Sequence, residues 1–211
     1  QEGEQYRVKD IKLAGRLVVD AKELKGIVSI SKGSIFSLKD VNDSGTKIKD
    51  RLADDGYAFA RINPNPEMDK KNKLVSVTLF IDPGRRVYVR RIVMVGNLRT
   101  SDLVLRREMR QLEGAWYSAK LVQRSQVRLQ RLGFFTTVDA KTKPVSGTND
   151  QIDIEFTVKE KPSGNFLASI GYSSTSGAIF QISVEQDNFL GTGKKFGIAL
   201  NKSDINQGVK L

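Results

Sequence analysis

The string VKDIKLAG, residues 8 to 15, returns as VRRIVMVG at residues 89 to 96, with its apolar positions and its closing glycine in register. Further on, RLADDGYAF from Arg51 answers to RLQRLGFF from Arg128, which matches Leu52 with Leu129, Gly56 with Gly133 and Tyr57 with Phe134. Self-similarity at this spacing marks two copies of one supersecondary unit. In the first copy, Ile11 and Leu13 alternate along a strand that turns at Gly15. Asp20 followed by Glu23 has the spacing of a capping box and predicts a short helix. Ser37 and Asp40 start a longer helix whose apolar positions are Leu38, Val41, Ile48 and Leu52, with Gly45 on the same stripe where a close neighbour can pass. Gly56 suits a left-handed helix stop. The strand leading into Pro64 and Pro66 is predicted at a sheet edge, because proline cannot donate to a ladder. Val75, Val77, Leu79 and Ile81 then alternate up to the Pro83-Gly84 turn.

The second copy keeps this order. Ile92 and Met94 lie on its first strand, a short helix is predicted over about 101 to 111, and Ser118 opens a longer helix ending near Leu132. Its last strand puts Ile152, Ile154, Phe156 and Val158 on one face and Asp153, Glu155, Thr157 and Lys159 on the other. One covered and one wet face is what a three-stranded sheet under two helices requires. The repeated unit is therefore β-α-α-β-β.

After Lys161-Pro162-Ser163-Gly164 the pattern changes to pure alternation. Phe166, Ala168, Ile170 and Tyr172 oppose Leu167, Ser169, Gly171 and Ser173. Phe180, Ile182 and Val184 oppose Gln181, Ser183 and Glu185, and after a turn Phe196, Ile198 and Leu200 oppose Gly197, Ala199 and Asn201. Consecutive hairpins of this kind fit a sandwich or a transmembrane barrel with its lipid side outward. The turn QDNFLGTGKK, 186 to 195, is not a phosphate loop: Asn188 stands where the first Walker glycine belongs, and Lys195 where a Ser or Thr must hold Mg²⁺. Phe196 likewise breaks a dinucleotide fingerprint built on Gly191 and Gly193. The chain stops at Leu211 within another alternating segment, NQGVKL, so the expectation is a barrel cut short after three strands and part of a fourth.

Composition narrows the function. The 211 residues, 39% hydrophobic and 28% charged, are a globular balance. With neither Cys nor His, thiolate chemistry, the commonest acid–base catalyst and the commonest metal ligand are all missing, so no catalytic, cofactor or metal residues are assigned. The opening QEGEQYRVKD has no apolar core of a signal peptide. No run approaches the roughly 18 apolar residues of a membrane helix, so any span would be a strand. Residues 85 to 160 carry 15 of the Lys and Arg against 8 Asp and Glu, a bias toward an anionic neighbour.

Three surface constellations follow from the residues. Lys120, Arg124, Arg128 and Arg131 form a basic stripe on the second copy's long helix, either a solvated face or a face turned to the membrane surface. Arg106, Arg110 and Glu113, at spacings of four and three, can share one helix side as a charged patch beside Trp116. The edge strand Phe59, Ala60, Arg61, Ile62 and Asn63 either accepts an extended client strand or is defended by its prolines.

The strings YVRRI at 88 to 92, VLRREMRQLEGAW at 104 to 116, RLGFF at 131 to 135, VKEKPSGNF at 158 to 166 and QDNFLGTG at 186 to 193 resemble the BamA-type outer-membrane β-barrel assembly factors, near their last two polypeptide-transport-associated (POTRA) domains. The resemblance implies an α+β chain: two tandem β-α-α-β-β POTRA domains, at 1–84 and 85–162, followed by the first antiparallel strands of a truncated outer-membrane β-barrel at 163–211. It implies a non-enzymatic factor, with residues 1–162 in the periplasm. Its partners would be a BamD-like lipoprotein docking at Arg106 and Glu113, other lipoproteins of the machinery, unfolded outer-membrane protein clients and outer-membrane lipid, with no nucleic acid and no small-molecule substrate. It makes Phe166, Ala168, Ile170, Gly171 and Tyr172 the barrel seam where client strands enter. A related POTRA-barrel secretion or translocation protein and, more distantly, a basic RNA-binding α/β module stay open at this point.

Overall fold

A computed structural model describes residues 5–175, 177–203 and 207–210. The first four residues, and Asn206 and Leu211 of the NQGVKL segment, lie outside the described residues. Compactness divides the chain into two units: residues 1–91 with 111–122 and 143–153, and residues 92–110 with 123–142 and 154–211.

The first unit contains the whole first copy: β1 (Arg7–Gly15), α1 (Ala21–Ile27), α2 (Leu38–Asp54), β2 (Arg61–Asp69) and β3 (Leu74–Asp82). β3 is central, parallel to β1 and antiparallel to β2. Its alternating Val75, Val77, Leu79 and Ile81 are buried together with Val8, Leu24, Val41, Ile48 and Leu52, so the strand pattern and the helix stripe meet in one core. Truncating a side chain as deeply buried as Leu52 to alanine typically costs about 2–5 kcal/mol. Gly15 closes β1 because the central strand passes there: φ is +96°, and a Cβ would stand 2.3 Å from the Ile81 carbonyl oxygen. Gly96 repeats this at φ +90°, with a Cβ position 2.1 Å from the Val158 carbonyl oxygen. The glycine that ends both copies of the repeat is thus a packing requirement.

Ser37 caps α2 by accepting the Asp40 N–H at 3.3 Å. The capping box at α1 does not close. Asp20 accepts from the Lys22 N–H, while Glu23 turns to Arg51 of α2 at 2.5 Å, where it meets a full opposite charge.

The second copy has β4 (Tyr88–Val95), α3 (Asp102–Arg106), α4 (Ala119–Arg131), β5 (Phe135–Pro144) and β6 (Gln151–Glu160), in sheet order β4-β6-β5. α4 has 13 residues against the 17 of α2. Four residues are close to one helical turn, so the shorter helix keeps its apolar face toward the sheet. The predicted helix over 101 to 111 ends at Arg106. The Met109 N–H takes the Arg106 carbonyl, and the Arg110 N–H goes instead to Ser125 Oγ on α4 at 2.8 Å. The first copy makes the same bond, Ser29 N–H to the buried Ser44 Oγ at 3.0 Å. A buried serine on the long helix ends the short helix's segment in each copy.

The last strands are β7 (Gly164–Ser173), β8 (Gly177–Gln186), β9 (Phe196–Lys202) and β10 (Gln207–Lys210), a meander in the order β10-β9-β8-β7. Register unites the apolar positions on one face. Ile182 lies between Ala168 and Leu200, Val184 between Phe166 and Ile198, and Phe180 pairs with Ile170. That face is open: Phe166, Ile170 and Tyr172 are exposed, and Ile182 is about half exposed at 48%.

Candidate functional site

The turn joining β8 to β9 is where sequence and structure converge most closely. Asn188 adopts the left-handed conformation at φ 56°, ψ 45°, which a short amide side chain tolerates. Its Oδ1 accepts the Gly193 N–H at 2.8 Å and closes the turn, while its Nδ2 donates to Thr100 Oγ1 at 2.8 Å. Thr100 is buried at 2% exposure and donates its hydroxyl to Glu160 Oε1 at 2.6 Å. The same carboxylate accepts the Thr100 N–H at 2.7 Å and the Arg99 N–H at 3.1 Å. Ser101 N–H then donates to the Gly191 carbonyl at 3.0 Å. Gly191 is obligatory: at φ +73°, its Cβ would stand 2.0 Å from the Arg99 carbonyl oxygen. Burial pushes the Glu160 carboxyl up, but the Thr100 hydroxyl, the two backbone amides and the Arg99 charge outweigh it and hold the group below its ordinary value. The phosphate-loop look of this turn comes from two packing glycines: Gly191 lets it dock on the backbone of Arg99 and Ser101, and Gly193 lies against Val104 and Arg107. Beside the network lies a cavity of about 240 Å³ lined by Arg99, Glu160, Lys161, Ser163, Gln186 and Leu190, among others.

The predicted sites fall elsewhere. Arg106 ends α3, with Nε 2.5 Å from Asp102 and Nη2 donating to the Ile92 carbonyl at 3.1 Å. Arg110 lies beyond the helix, its guanidinium donating to the Met109 carbonyl, so the helical spacing that grouped it with Arg106 and Glu113 does not hold. Arg106 and Arg110 belong to the second unit and Glu113 to the first. Glu113 is exposed on a turn organised by buried Gln111, which donates to the Leu112 and Trp116 carbonyls and accepts the Ser118 N–H. Half-exposed Trp116 meets Tyr88 edge-on, with the Arg86 guanidinium 4.5 Å from its ring centre.

Of the basic stripe, Lys120, Arg124 and Arg131 are exposed. Arg128 turns to Glu108 at 2.7 Å, and its Nε is buried without a hydrogen-bond partner, while its side chain stays 41% exposed. Its charge is thus partly offset by the Glu108 carboxylate. Of the client edge, only Arg61, Ile62 and Asn63 lie in β2; Phe59 and Ala60 precede it, and the Ala60 N–H is used in a turn onto the Tyr57 carbonyl. β2 is the edge expected, yet it continues through both prolines, with Pro64 opposite Leu79 and Pro66 opposite Val77. Lacking N–H groups, both must occupy non-hydrogen-bonded pairs with their nitrogens outward, so the edge has lost two donors. A groove of about 450 Å³ runs between this edge and α2, past Gly45, Ile62 and Pro64.

On β7, an edge strand, Phe166, Ala168, Ile170 and Tyr172 lie on the apolar face and Gly171 on the other. Nothing stands within 4 Å of a Cβ at Gly171, so crowding does not require the glycine among the described residues.

Sequence reasoning missed Thr100, Glu160 and Asp54. The Asp54 carboxylate at the end of α2 accepts the Lys120 N–H at 2.7 Å and the Ser118 hydroxyl at 3.2 Å, reinforcing the cap of α4. A polar residue far along the chain leaves no local period; for Asn188 the signal was a pair of glycines in a short turn. Among the described residues no group of three or more His, Cys, Asp or Glu could hold a metal, and no helix is long and apolar enough to cross a membrane, which says nothing of crossing by strands.

Comparison with known proteins places this geometry. The POTRA family model, described as surface antigen variable number repeat, matches residues 6–84 and 87–161. Outer membrane protein assembly factor BamA of Neisseria meningitidis serogroup B is 32% identical over 96% of the chain, and that of Buchnera aphidicola is 30% identical over 98%. The chain spans 26% and 33% of their lengths. The crystal structure of BamA from Haemophilus ducreyi lacking POTRA domains 1-3 superposes on 94% of the chain at 35% identity and a TM-score of 0.80, the chain covering 37% of it. Haemophilus influenzae BamA POTRA3-5 covers 75% of the chain at 39% identity and a TM-score of 0.71, with 63% of that structure matched.

Proposed function

The chain belongs to the POTRA family, and from that premise we propose that it works in the assembly and insertion of β-barrel proteins at the bacterial outer membrane. The observation that carries the reading is the junction of two POTRA matches with a meander whose register gathers Phe166, Ile170, Phe180, Ile182, Val184, Ile198 and Leu200 on one open face. Such a face is suited to hydrocarbon.

In this reading residues 1–84 and 85–162 stand in the periplasm as two POTRA domains, and 163–211 begin the barrel. The role is a docking scaffold without bond-making chemistry. Insertion is driven by clients burying apolar faces in lipid and satisfying their backbone hydrogen bonds. Exposed Glu113 and the positioned guanidinium of Arg106 are each contacts for a BamD-like lipoprotein, with Arg110 nearby in sequence. Client strands enter at the β7 edge. The β2 edge, with two donors missing, is the poorer acceptor, and its prolines serve as defence.

Depleting the protein in its own cells tests the function: outer-membrane β-barrel proteins are expected to fall while inner-membrane proteins hold. Unchanged barrel levels would refute it. Reversing Glu113 to Lys is expected to weaken recovery of the partner lipoprotein, and full recovery removes Glu113 from the contact.

A further inference from the structure

We propose that the cavity beside Asn188 binds the phosphodiester headgroup of a membrane phospholipid, with Arg99 and Lys161 holding the phosphate and Leu190 meeting the start of the acyl chains. The inference rests on the membrane reading above and assigns that membrane a specific contact.

Position comes first. The cavity is lined by Ser163, just before β7, and Gln186, the last residue of β8. The pair Gly164–Gln186 lies two residues beyond Phe166–Val184, the last apolar pair of β7 and β8 at this end of the sheet's lipid-suited face. The cavity therefore sits at the depth where hydrocarbon gives way to headgroups.

Charge is the second observation. Arg99 and Lys161 both line the cavity and are exposed, and neither is drawn into a salt bridge among the described residues. The one carboxylate in the wall, Glu160, keeps its charge but is turned to the Thr100 hydroxyl and the Arg99 and Thr100 amides. The wall is thus built before a ligand arrives, and with Arg99 and Lys161 set against the single Glu160 carboxylate its net charge is positive.

The third observation is apolar surface with no partner in the protein. Leu190 lines the cavity at 80% exposure and is held at φ 51°, a conformation leucine rarely takes. Leu98, next to Arg99, is 94% exposed. Bare leucines beside cations, at the end of a lipid-suited face, match an amphiphile: anionic head on the cations, chains along the leucines. A volume of about 240 Å³ suits a headgroup and not a whole lipid.

The test reconstitutes the protein in vesicles of phosphatidylethanolamine and phosphatidylglycerol, extracts it in mild detergent, and counts retained phospholipid by native mass spectrometry. Wild-type protein is expected to keep lipid; Arg99→Ala with Lys161→Ala is expected to lose about tenfold or more of it. Arg99→Lys keeps most of it, and Leu190→Ala falls between. Lys161→Ala alone, with an unaltered thermal melt, serves if the double variant folds poorly. Retention unchanged in the variants overturns the proposal. Displacement of the lipid by millimolar inorganic phosphate also overturns it, in favour of a simple anion site. Failure of wild-type protein to float with the vesicles would instead reject the membrane reading itself.

Discussion

Asn188 joins two bonds, closing its own turn on Gly193 and reaching the buried Thr100 hydroxyl. Replacing it with alanine takes the partner from the partly buried Gly193 N–H, an expected loss of about 0.5–1.5 kcal/mol in denaturant unfolding, with faster hydrogen exchange at Gly193. Gly191→Ala should destabilise more than Gly171→Ala, because only the first puts a methyl 2.0 Å from a carbonyl oxygen. Glu160 predicts the pH response. Its folded value lies below the ordinary 4.5, so its contribution is complete above that value and is lost as pH falls through the lowered one. Unfolding measured from about pH 6 to 3 should show this acid limb, and Glu160→Gln should flatten it.

Elements are shaped by what their neighbours demand of them. Ser44 and Ser125 occupy equivalent buried places on α2 and α4, each receiving a backbone N–H from the segment that follows the short helix. Ser44→Ala and Ser125→Ala each remove the acceptor of a partly buried N–H and should cost about 0.5–1.5 kcal/mol, and calorimetry on the two variants would show matched losses. At β2 the prolines sit in the strand and point their nitrogens outward. Pro64→Thr with Pro66→Thr restores two edge donors and is expected to raise self-association, read by light scattering. A variant that stays as monodisperse as wild type would show that the prolines do not guard this edge.

For the whole molecule, the decisive feature is the sidedness of the four-stranded meander. Ile182 lies on the open apolar face and Ser183 on the other. Ile182→Arg should impede membrane integration by about 2–4 kcal/mol, whereas Ser183→Arg should be tolerated; flotation with vesicles separates them. Equal losses would mean that the face is not lipid-exposed. In the first unit, Asp54 ties the end of α2 to the start of α4, and Val87 N–H donates to the Gly56 carbonyl at 2.8 Å. The passage from one repeat into the next is therefore hydrogen-bonded through its backbone.

Read alone, the residues determined the repeat, the β-α-α-β-β order, the buried face of each central strand and the one-sided apolar pattern after Gly164. These depend on local period: Val75, Val77, Leu79 and Ile81 can share a face only in a strand, and Ile182 and Val184 follow the same rule. Only the tertiary structure decided that α3 stops at Arg106, that Arg128 of the basic stripe pairs with Glu108, and that Thr100, Glu160 and Asn188 form one network. Each of these depends on a hydrogen bond or ion pair between residues brought together by folding. Period encodes which way a side chain points, but it does not encode which partner waits there.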